Sequence, residues 1–307
     1  MIRLTESDVR RLDPPRVIAA IEDAFRDRYS STAIPIRTQI VVAGGVLLMM
    51  PCYDRFRPAF GMKILKVQSD PDCRENRVQA TYLLLDPETG APTATISANY
   101  LTDLRTAATS AVATKWLARD DVQTLGIFGT GSEARSHLRI LPMVRNFERA
   151  LICGRTMDRS REFIEATAGE LAIPVESADP QTCAAESDVI CTCTNSPTPL
   201  FDGHLIRPGT HLNLIGAFQP STREVDSITV QRAQVVVEVR DAVLAEAGEL
   251  IIPIAEGIIS AEHIRTDLHE LLSTKKIVRR TSSDITLFKS VGCALEDLVT
   301  AELLIAS

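Results

Sequence analysis

Apolar and polar positions along the chain follow one pattern before residue 120 and another after it. In the first part, short apolar runs alternate with turn residues, which is typical of an antiparallel sheet. This pattern predicts strands at residues 37–42, 46–50, 60–67, 79–85 and around 95–96. Helical spacing predicts a helix at residues 17–25, and an Ala- and Thr-rich run predicts a long helix at 102–117.

After residue 120, apolar runs alternate with helical segments, which indicates a parallel sheet covered by helices. Strands are predicted at residues 124–128, 149–153, 189–192, 211–215 and 235–239, and helices after Gly131, Asp158 and Pro180. A last helix is predicted at residues 291–305. The fold class is therefore α/β, with a Rossmann-type domain at residues 120–285 and a discontinuous α+β domain made of residues 1–119 and 286–307.

Composition narrows the classes of partner. The 307 residues are 45% hydrophobic and 24% charged, with a net charge of −7, as in soluble globular proteins. Neither nucleic acid nor a membrane is an expected partner, because the chain has no basic block, no apolar run of spanning length and no signal-peptide core. Seven cysteines in such a chain indicate reduced thiols and a cytoplasmic protein. Cys191-x-Cys193 has no second pair or nearby histidine, so no metal site is expected.

The run VQTLGIFGTGSEA at residues 122–134 joins an apolar strand to a glycine turn and a helix. It contains the G-x-G-x-x-G/A pattern that binds the pyrophosphate of a dinucleotide. Gly129 allows the tight turn, Gly131 lets the backbone approach the phosphates, and Ala134 lets the helix pack against the strand. The first N–H groups of that helix face the anion. The predicted cofactor contacts are Gly129, Thr130, Gly131, Ser132, Glu133 and Ala134.

The segment Cys153-Gly154-Arg155-Thr156, at the end of the next strand, indicates which dinucleotide binds. NAD-binding domains commonly have an acidic residue here, which accepts hydrogen bonds from the ribose hydroxyls and repels a 2′-phosphate. This chain has none. Arg155 can pair with a 2′-phosphate, and Thr156 can add a hydroxyl donor. NADP is therefore the preferred cofactor and NAD the alternative; a solvated loop arginine is the other interpretation of Arg155.

Several segments, taken together, resemble the ornithine cyclodeaminase/μ-crystallin family. They are Pro35-Ile-Arg37, Met50-Pro51 with Tyr53, Lys63, and residues 101–117, 129–137, 152–156, 208–226 and 288–297. The resemblance implies a homodimer whose subunits pair a Rossmann domain with a dimerisation and substrate domain built from both chain ends. It also implies hydride chemistry at a C–N centre of an α-imino or α-amino acid. Members of the family include ketimine reductases, amino-acid dehydrogenases and cyclodeaminases that recycle bound NAD.

The resemblance also implies roles for individual residues. Arg37 and Arg105 match arginines that bind the substrate carboxylate, a pairing that suits a planar guanidinium. Lys63 matches a lysine that polarises or protonates the C–N group or holds the carboxylate, although spacing alone does not separate it from Lys66. Asp226 matches an acid/base aspartate, and a helix cap is its alternative role.

Further positions are expected near the cofactor. Glu224 matches a companion of Asp226 whose role is expected to be structural. Asn213, Gly216 and Ala217 lie at a predicted strand end, where open α/β sheets bind ligands. The remaining predicted cofactor contacts are Thr109, Thr192, Thr194, Ser290, Val291 and Gly292.

One departure from the family pattern narrows the substrate. Cyclodeaminases that act on ornithine have an acidic residue shortly before Met-Pro, whereas this chain has Leu47-Leu48-Met49-Met50. A buried ammonium without a counter-charge is costly, so a small or apolar side chain is expected. The leading hypothesis is an NADPH-dependent reductase of small α-imino acids: Δ1-pyrroline-2-carboxylate, Δ1-piperideine-2-carboxylate, or the imine of a 2-oxo acid and ammonia. The alternatives are a cyclodeaminase with recycled NAD and a non-catalytic protein that binds NADPH or a small ligand.

Overall fold

Two stretches of chain, one from each end, form the first of two structural units. The computed structural model describes residues 1–68, 78–171 and 173–306. Unit 1 consists of Met1–Thr109 and Gly292–Ser307, and unit 2 of Ser110–Val291. The division expected from the sequence, with boundaries at 119/120 and 285/286, stays a prediction. In the structure, the first boundary falls inside a continuous helix, and the second follows a strand that belongs to unit 2.

The N-terminal part of unit 1 contains most of its strands. The strands are β1 (Ile2–Leu4), β2 (Thr32–Ala33), β3 (Thr38–Val42), β4 (Gly45–Asp54), β5 (Ala59–Gln68), β6 (Val78–Leu85) and β7 (Pro92–Ser97). The helices are α1 (Glu6–Val9), α2 (Pro14–Asp23) and α3 (Asn99–Leu117), and α2 continues as a π-helix at Ala24–Arg28 and a 3-10 turn at Tyr29–Ser31. Helix α3 ends where the sequence predicts but begins three residues before the expected 102.

The sheet of unit 1 places Lys63 on its buried face. The strand order is β1-β7-β6-β5-β4-β2, with β3 also on β4. The pairs from β2 to β7 are antiparallel, as expected, and β1 pairs with β7 in parallel. In the register of β5, Lys63 lies opposite Met50 and Tyr82. Burial alternates along β5, so Lys63 is fully buried while Lys66 is only partly buried.

Unit 2 alternates strands and helices. Its strands are β8 (Thr124–Phe128), β9 (Arg149–Cys153), β10 (Val175–Ser177), β11 (Val189–Thr192), β12 (His211–Leu214), β13 (Ala233–Val237), β14 (Ile264–Asp267) and β15 (Ile285–Lys289). Its helices are α4 (Ser132–Ile140), α5 (Met157–Thr167), α6 (Pro180–Glu186), α7 (Ser227–Arg232), α8 (Arg240–Glu246), α9 (Gly248–Ala255) and α10 (Leu268–Thr274), with 3-10 turns at Leu141–Met143, Gly203–Leu205 and Ala261–His263. The chain then enters α11 (Ala294–Ile305), which belongs to unit 1.

The sheet of unit 2 is parallel throughout, as in a Rossmann-type domain. Its strand order is β10-β9-β8-β11-β12-β15-β13-β14. The order reverses between β8 and β11, and ligands of open α/β sheets bind beyond the carboxyl ends of strands at such a point. Strand β15 lies between β12 and β13, so residues 285–289 pair within this sheet. No helix of the described residues is long and apolar enough to cross a membrane.

Candidate active site

Four charged side chains meet in the interior of unit 1, and we call them the ionic cluster: Lys63, Arg105, Glu296 and Asp297. Asp297 Oδ1 lies 2.7 Å from Lys63 Nζ and 3.2 Å from Arg105 Nε. Glu296 Oε2 accepts a hydrogen bond of 2.6 Å from Arg105 Nη1. All four side chains are buried. Two cations therefore face two anions, and the cluster is balanced before any ligand arrives.

Three elements hold the ionic cluster. The alternation of β5 turns Lys63 inward, and Arg105 lies in the first half of α3 on a face of small residues. Glu296 and Asp297 stand in the first turn of α11, whose positive N-terminal end favours carboxylates. Gly292 precedes this helix with a φ of 95°, and a Cβ there would lie 3.2 Å from both Arg105 Nη atoms. Only glycine lets the backbone pass so close to the guanidinium in this conformation.

Burial changes the chemistry of Lys63. Desolvation, followed by the positive charge of Arg105, lowers the pKa of the Lys63 ammonium to about 8. The carboxylates of Asp297 and Glu296 oppose this change. An ammonium with a pKa near 8 is mostly protonated at neutral pH and still gives up its proton readily, which suits a general acid.

Arg37, the other predicted carboxylate ligand, lies on the segment just before β3 and is partly buried, with Nη2 enclosed by protein. A second ion-pair group lies elsewhere in unit 1. Arg28 Nε donates to Asp54 Oδ2 over 2.6 Å, and Arg28 Nη1 donates to Glu302 Oε2 over 2.8 Å. Asp54 on β4 is thus already neutralised by an arginine.

The glycine turn of unit 2 has the geometry of a phosphate-binding loop. Gly129 has a φ of 122°, and a Cβ there would lie 2.5 Å from the carbonyl oxygen of Cys193. Gly131 is the N-cap of α4, and no atom stands within 4 Å of where its Cβ would be. Thr130, Ser132 and Glu133 line the same turn, and Ala134, in the first turn of α4, is fully buried. An open space before exposed helix N–H groups fits the pyrophosphate of a dinucleotide.

Arg155 and Thr156 lie between β9 and α5, and both are exposed. Thr156 is the N-cap of α5 and accepts a hydrogen bond of 3.3 Å from the Arg159 backbone N–H. Gly154 N–H donates to Ser160 Oγ, which closes the turn. Residues 153–156, at the end of β9, include no carboxylate. The position therefore fits the ribose end of NADP as well as that of NAD.

Glu224 connects the ends of two neighbouring strands in unit 2. Its carboxylate accepts hydrogen bonds of 2.7 Å from the hydroxyls of Thr192 and Thr194 and from the N–H groups of Thr194 and Gly216. Ala217 N–H adds a longer bond of 3.3 Å. Burial, followed by the negative charge of Glu249, raises the pKa of the Glu224 carboxyl. Glu224 is thus a structural anion, as expected, and the hydroxyls of Thr192 and Thr194 are directed at it.

Asp226 has the geometry of a helix cap. Its Oδ1 accepts hydrogen bonds from Thr229 N–H and Thr229 Oγ1 at 2.8 and 2.7 Å, and its Oδ2 accepts one from Gly203 N–H at 2.9 Å. It is the N-cap of α7. Both oxygens are thus used to hold the helix start and a neighbouring turn, which is the alternative role given by the sequence. An acid/base role for Asp226 stays a prediction, and this geometry does not favour it.

Other predicted cofactor residues also have partners inside the protein. Asn213 donates to Thr114 Oγ1 over 2.9 Å and is fully buried, so it holds α3 and not a ligand. Ser290 Oγ donates to Glu238 over 2.6 Å, next to the buried Val291. Thr109 Oγ1 donates to the carbonyl of Arg105 within α3 over 2.9 Å, and its contact with the cofactor stays a prediction.

The sequence analysis did not identify the anions of the ionic cluster. Glu296 and Asp297 are consecutive acidic residues in an otherwise apolar helix, ALEDLVTAELLI, and both are fully buried. That contrast is the signal that finds them. Lys289 was missed as well. It ends the apolar strand β15, lies 3.3 Å from Glu249 and donates to the carbonyl of Ala217 over 2.6 Å.

Comparisons with known proteins agree with these observations. The model of the ornithine cyclodeaminase/mu-crystallin family matches residues 4–306. A Δ1-pyrroline-2-carboxylate reductase of Bacillus cereus is 35% identical over 278 residues, which cover 89% of this chain and 85% of that protein. The structure of Thermococcus litoralis Δ1-pyrroline-2-carboxylate reductase with NADH and L-proline superposes with a TM-score of 0.96 at 36% identity, covering 100% and 97% of the two chains. An archaeal alanine dehydrogenase dimer with bound NAD superposes with a TM-score of 0.92 at 26% identity, covering 100% and 95%.

Proposed function

Because this chain belongs to the ornithine cyclodeaminase/mu-crystallin family, we propose that it is an NAD(P)H-dependent reductase of small α-imino acids, with Δ1-pyrroline-2-carboxylate as the leading substrate. The observation that carries the proposal is the ionic cluster, in which Lys63 and Arg105 are buried beside Asp297. Burying four charges in one place is a poor way to stabilise a domain, and such clusters are common at sites of catalysis.

Unit 1 supplies the groups that recognise the imino acid. Arg105 binds the substrate carboxylate through its planar guanidinium, and Arg37 gives the second carboxylate contact. Glu296 and the Gly292 backbone restrict Arg105 from two directions. An arginine fixed in this way loses little side-chain entropy when the substrate arrives.

Lys63 supplies the proton. Its ammonium has three donors, and Asp297 accepts the one hydrogen bond that Lys63 makes among the described residues. With a pKa of about 8, it donates to the imine nitrogen and makes the α-carbon a better hydride acceptor. The bound nicotinamide supplies the hydride. The product is an α-amino acid, and Lys63 regains its proton from solvent.

Unit 2 supplies the cofactor-binding groups. Gly129, Gly131 and the first turn of α4 bind the pyrophosphate. We assign Arg155 and Thr156 to the 2′-phosphate of NADP, which makes NADPH the preferred reductant. The support is the exposed arginine at the end of β9, where no carboxylate stands to repel that phosphate.

The substrate side chain is small or apolar. Asp54 is the one carboxylate of β4, and its partner is Arg28. A distal substrate ammonium therefore finds no spare anion on this strand, and burying it would be costly. This argument favours proline-like and alanine-like imines over ornithine or lysine.

The enzyme is further proposed to act as a cytoplasmic homodimer. Among the described strands β3 pairs with β4 alone, so its outer edge is open. That edge carries Val41, which is 87% exposed, and Ile40. Open apolar edge strands are usually covered in the working protein. Sedimentation of the wild type and of Val41→Glu tests this, and a wild type that sediments as a monomer would contradict it.

The decisive experiment follows the loss of reduced-nicotinamide absorbance with Δ1-pyrroline-2-carboxylate and, separately, with pyruvate plus ammonia. We expect turnover with NADPH that exceeds turnover with NADH. Lys63→Met should lose about 10²–10⁴-fold in kcat. Lys66→Met is the matched control on the same strand and should keep its activity. Ammonia release from ornithine without added cofactor, with no imine reduction, would instead support a cyclodeaminase.

A further inference from the structure

The two carboxylates of the ionic cluster come from adjacent residues of one helix, yet they hold different cations. Glu296 contacts Arg105 over 2.6 Å, and Asp297 contacts Lys63 over 2.7 Å. Asp297 also lies 3.2 Å from Arg105 Nε, so it is shared between the two cations. The spacing between the ammonium and the guanidinium is therefore set by a residue that belongs to neither β5 nor α3.

The start of α11 is a favourable place for both carboxylates. Glu296 and Asp297 lie in the first turn of this twelve-residue helix, after the N-cap Cys293. The positive end of the helix dipole stabilises anions in that turn. Removing either carboxylate would leave the facing cation buried without that partner, which is costly.

A third contact comes from the same segment. The Gly292 backbone lies against the guanidinium of Arg105, in a conformation that other residues rarely adopt. Residues 292–297, which we call the tail segment, thus contact both cations of the cluster. The tail segment is also far from those cations in sequence, because Asp297 lies 234 positions after Lys63.

We infer that Asp297 is the positioning residue that keeps the Lys63 ammonium charged and in place as the proton donor, while Glu296 orients Arg105 for the substrate carboxylate. This inference rests on the proposed reductase function. Neither carboxylate is given a contact with the substrate; each acts through its cation.

The charged and titratable groups around Lys63 predict in which direction its pKa changes when Asp297 is replaced. Arg105 from α3 lowers the Lys63 pKa, and Asp297 and Glu296 from α11 raise it. From the neighbouring strands come Tyr82, opposite Lys63 on β6, and Cys52 on β4, both buried. Burial raises the pKa of each of these two groups, so both stay neutral in the working pH range. Removing the Asp297 charge therefore lowers the Lys63 pKa below about 8.

The test is the pH dependence of kcat for Asp297→Asn with Δ1-pyrroline-2-carboxylate and NADPH. In the wild type, activity should fall as pH rises through about 8, where Lys63 loses its proton. In Asp297→Asn this alkaline limb should move about 1–3 pH units lower, the usual effect of an ion-pair partner. Asp297→Glu, which keeps the charge, should restore the limb to near its wild-type position.

Two matched variants separate positioning from general damage. Glu296→Gln removes the same charge one residue away and should mainly raise the KM for the imine, with a smaller shift of the limb. Glu302→Gln removes a carboxylate from the same helix that pairs with Arg28, so both kcat and the limb should stay as in the wild type.

The outcomes are distinguishable. A folded Asp297→Asn with an unmoved alkaline limb and kcat within about threefold of wild type would overturn the inference. If Asp297→Asn does not fold, Asp297→Glu decides: a limb at the wild-type pH with lowered kcat supports the inference, and unchanged kcat contradicts it. If the wild type reduces no imine, the proposed function fails instead. Calorimetry with pyrrole-2-carboxylate then tests the role of Asp297 without catalysis. Binding of this anion should weaken above about pH 8 in the wild type and at a lower pH in Asp297→Asn. Identical pH profiles of binding in the two proteins would refute the inference.

Discussion

The ionic cluster of unit 1 and the Glu224 site of unit 2 both bury charge, but they satisfy it in different ways. Among the described residues, the donors to the Glu224 carboxylate are neutral: hydroxyls and backbone N–H groups at two strand ends. These donors fill its acceptor sites, so the carboxylate fixes the backbone at the strand ends and has no acceptor site left for a ligand. In the ionic cluster each cation faces an anion, and Lys63 keeps donor capacity for a ligand.

This difference separates a structural charge from one that we propose to be catalytic. A carboxylate whose acceptor sites are all filled by fixed neutral groups contributes to local geometry. A charge-balanced cluster of an ammonium, a guanidinium and two carboxylates can respond to a bound ligand and to pH. Buried pairs of this kind add little stability compared with apolar side chains of the same volume. A charged group of this kind in the interior therefore points to a chemical role rather than to a gain in stability.

The largest effect should come from replacing the Lys63–Asp297 pair. Lys63→Met alone leaves Asp297 buried beside Arg105 only, which should cost about 3–5 kcal/mol of unfolding free energy. Lys63→Met with Asp297→Met should recover most of that loss because both charges are gone, while kcat stays about 10²–10⁴-fold down. Chemical denaturation and the imine assay measure the two quantities. A double variant with the kcat of the wild type would contradict the catalytic role of the pair and with it the contrast to the Glu224 site.

The Glu224 site should respond in the opposite manner. Glu224→Gln sets an amide N–H₂ against backbone donors, so we expect a loss of about 1–3 kcal/mol in unfolding free energy for each bond left unmade. The KM for NADPH should rise because the ends of β11 and β12 shift. Glu256→Gln, on a partly exposed carboxylate that accepts a hydrogen bond from Ser227, is the control and should change little. A Glu224→Gln protein with wild-type stability and abolished kcat would make Glu224 catalytic.

Arg155, the residue of unit 2 proposed to bind the 2′-phosphate, is exposed, unlike the cations of the ionic cluster. Arg155→Ala should raise the KM for NADPH about 10–100-fold, the usual worth of a charged hydrogen bond, and leave that for NADH nearly unchanged. Stability should not change, because Arg155 is exposed. Steady-state kinetics with both cofactors measure the ratio. Equal effects on the two cofactors would contradict the assignment to the 2′-phosphate.

The smallest effect is expected at Asp226. Asp226→Asn keeps an oxygen for the Thr229 N–H but weakens the bond to Gly203, so about 1 kcal/mol of stability should be lost. Turnover should stay within about threefold of the wild type, because one carboxylate oxygen already caps α7 and the other already accepts the Gly203 N–H. If Asp226→Asn abolishes turnover while NADPH still binds, the acid/base role implied by the resemblance is correct. A catalytic carboxylate would then lie in unit 2.

Much of the fold was predictable because local patterns are strong. The glycine turn, the strand before it and the long α3 are each specified by neighbouring residues. Strand β15 was missed as part of the parallel sheet. ITLFK is short and ends in a charge, and its place between β12 and β13 depends on partners far along the chain.

The site was predictable only in part. Spacing alone did not separate Lys63 from Lys66, whereas the register of β5 with its two neighbours does. Asp297 was not predicted because the entire sequence of unit 2 lies between it and its partner Lys63. Asp226 shows the opposite limit: the resemblance gave it a catalytic role, but its hydrogen bonds, which the sequence does not display, are those of a cap.

The long separation between Lys63 and Asp297 also has a consequence for how the protein is made. The ribosome must add a further 234 residues after Lys63 before its counter-ion exists. At 5–20 residues per second this takes roughly ten to fifty seconds. During that time the nascent chain carries a lysine and an arginine meant for burial with no anions from α11 to meet them. The N-terminal sheet of unit 1 therefore gains its final packing late in synthesis, when the strands and helices of unit 2 have already left the ribosome.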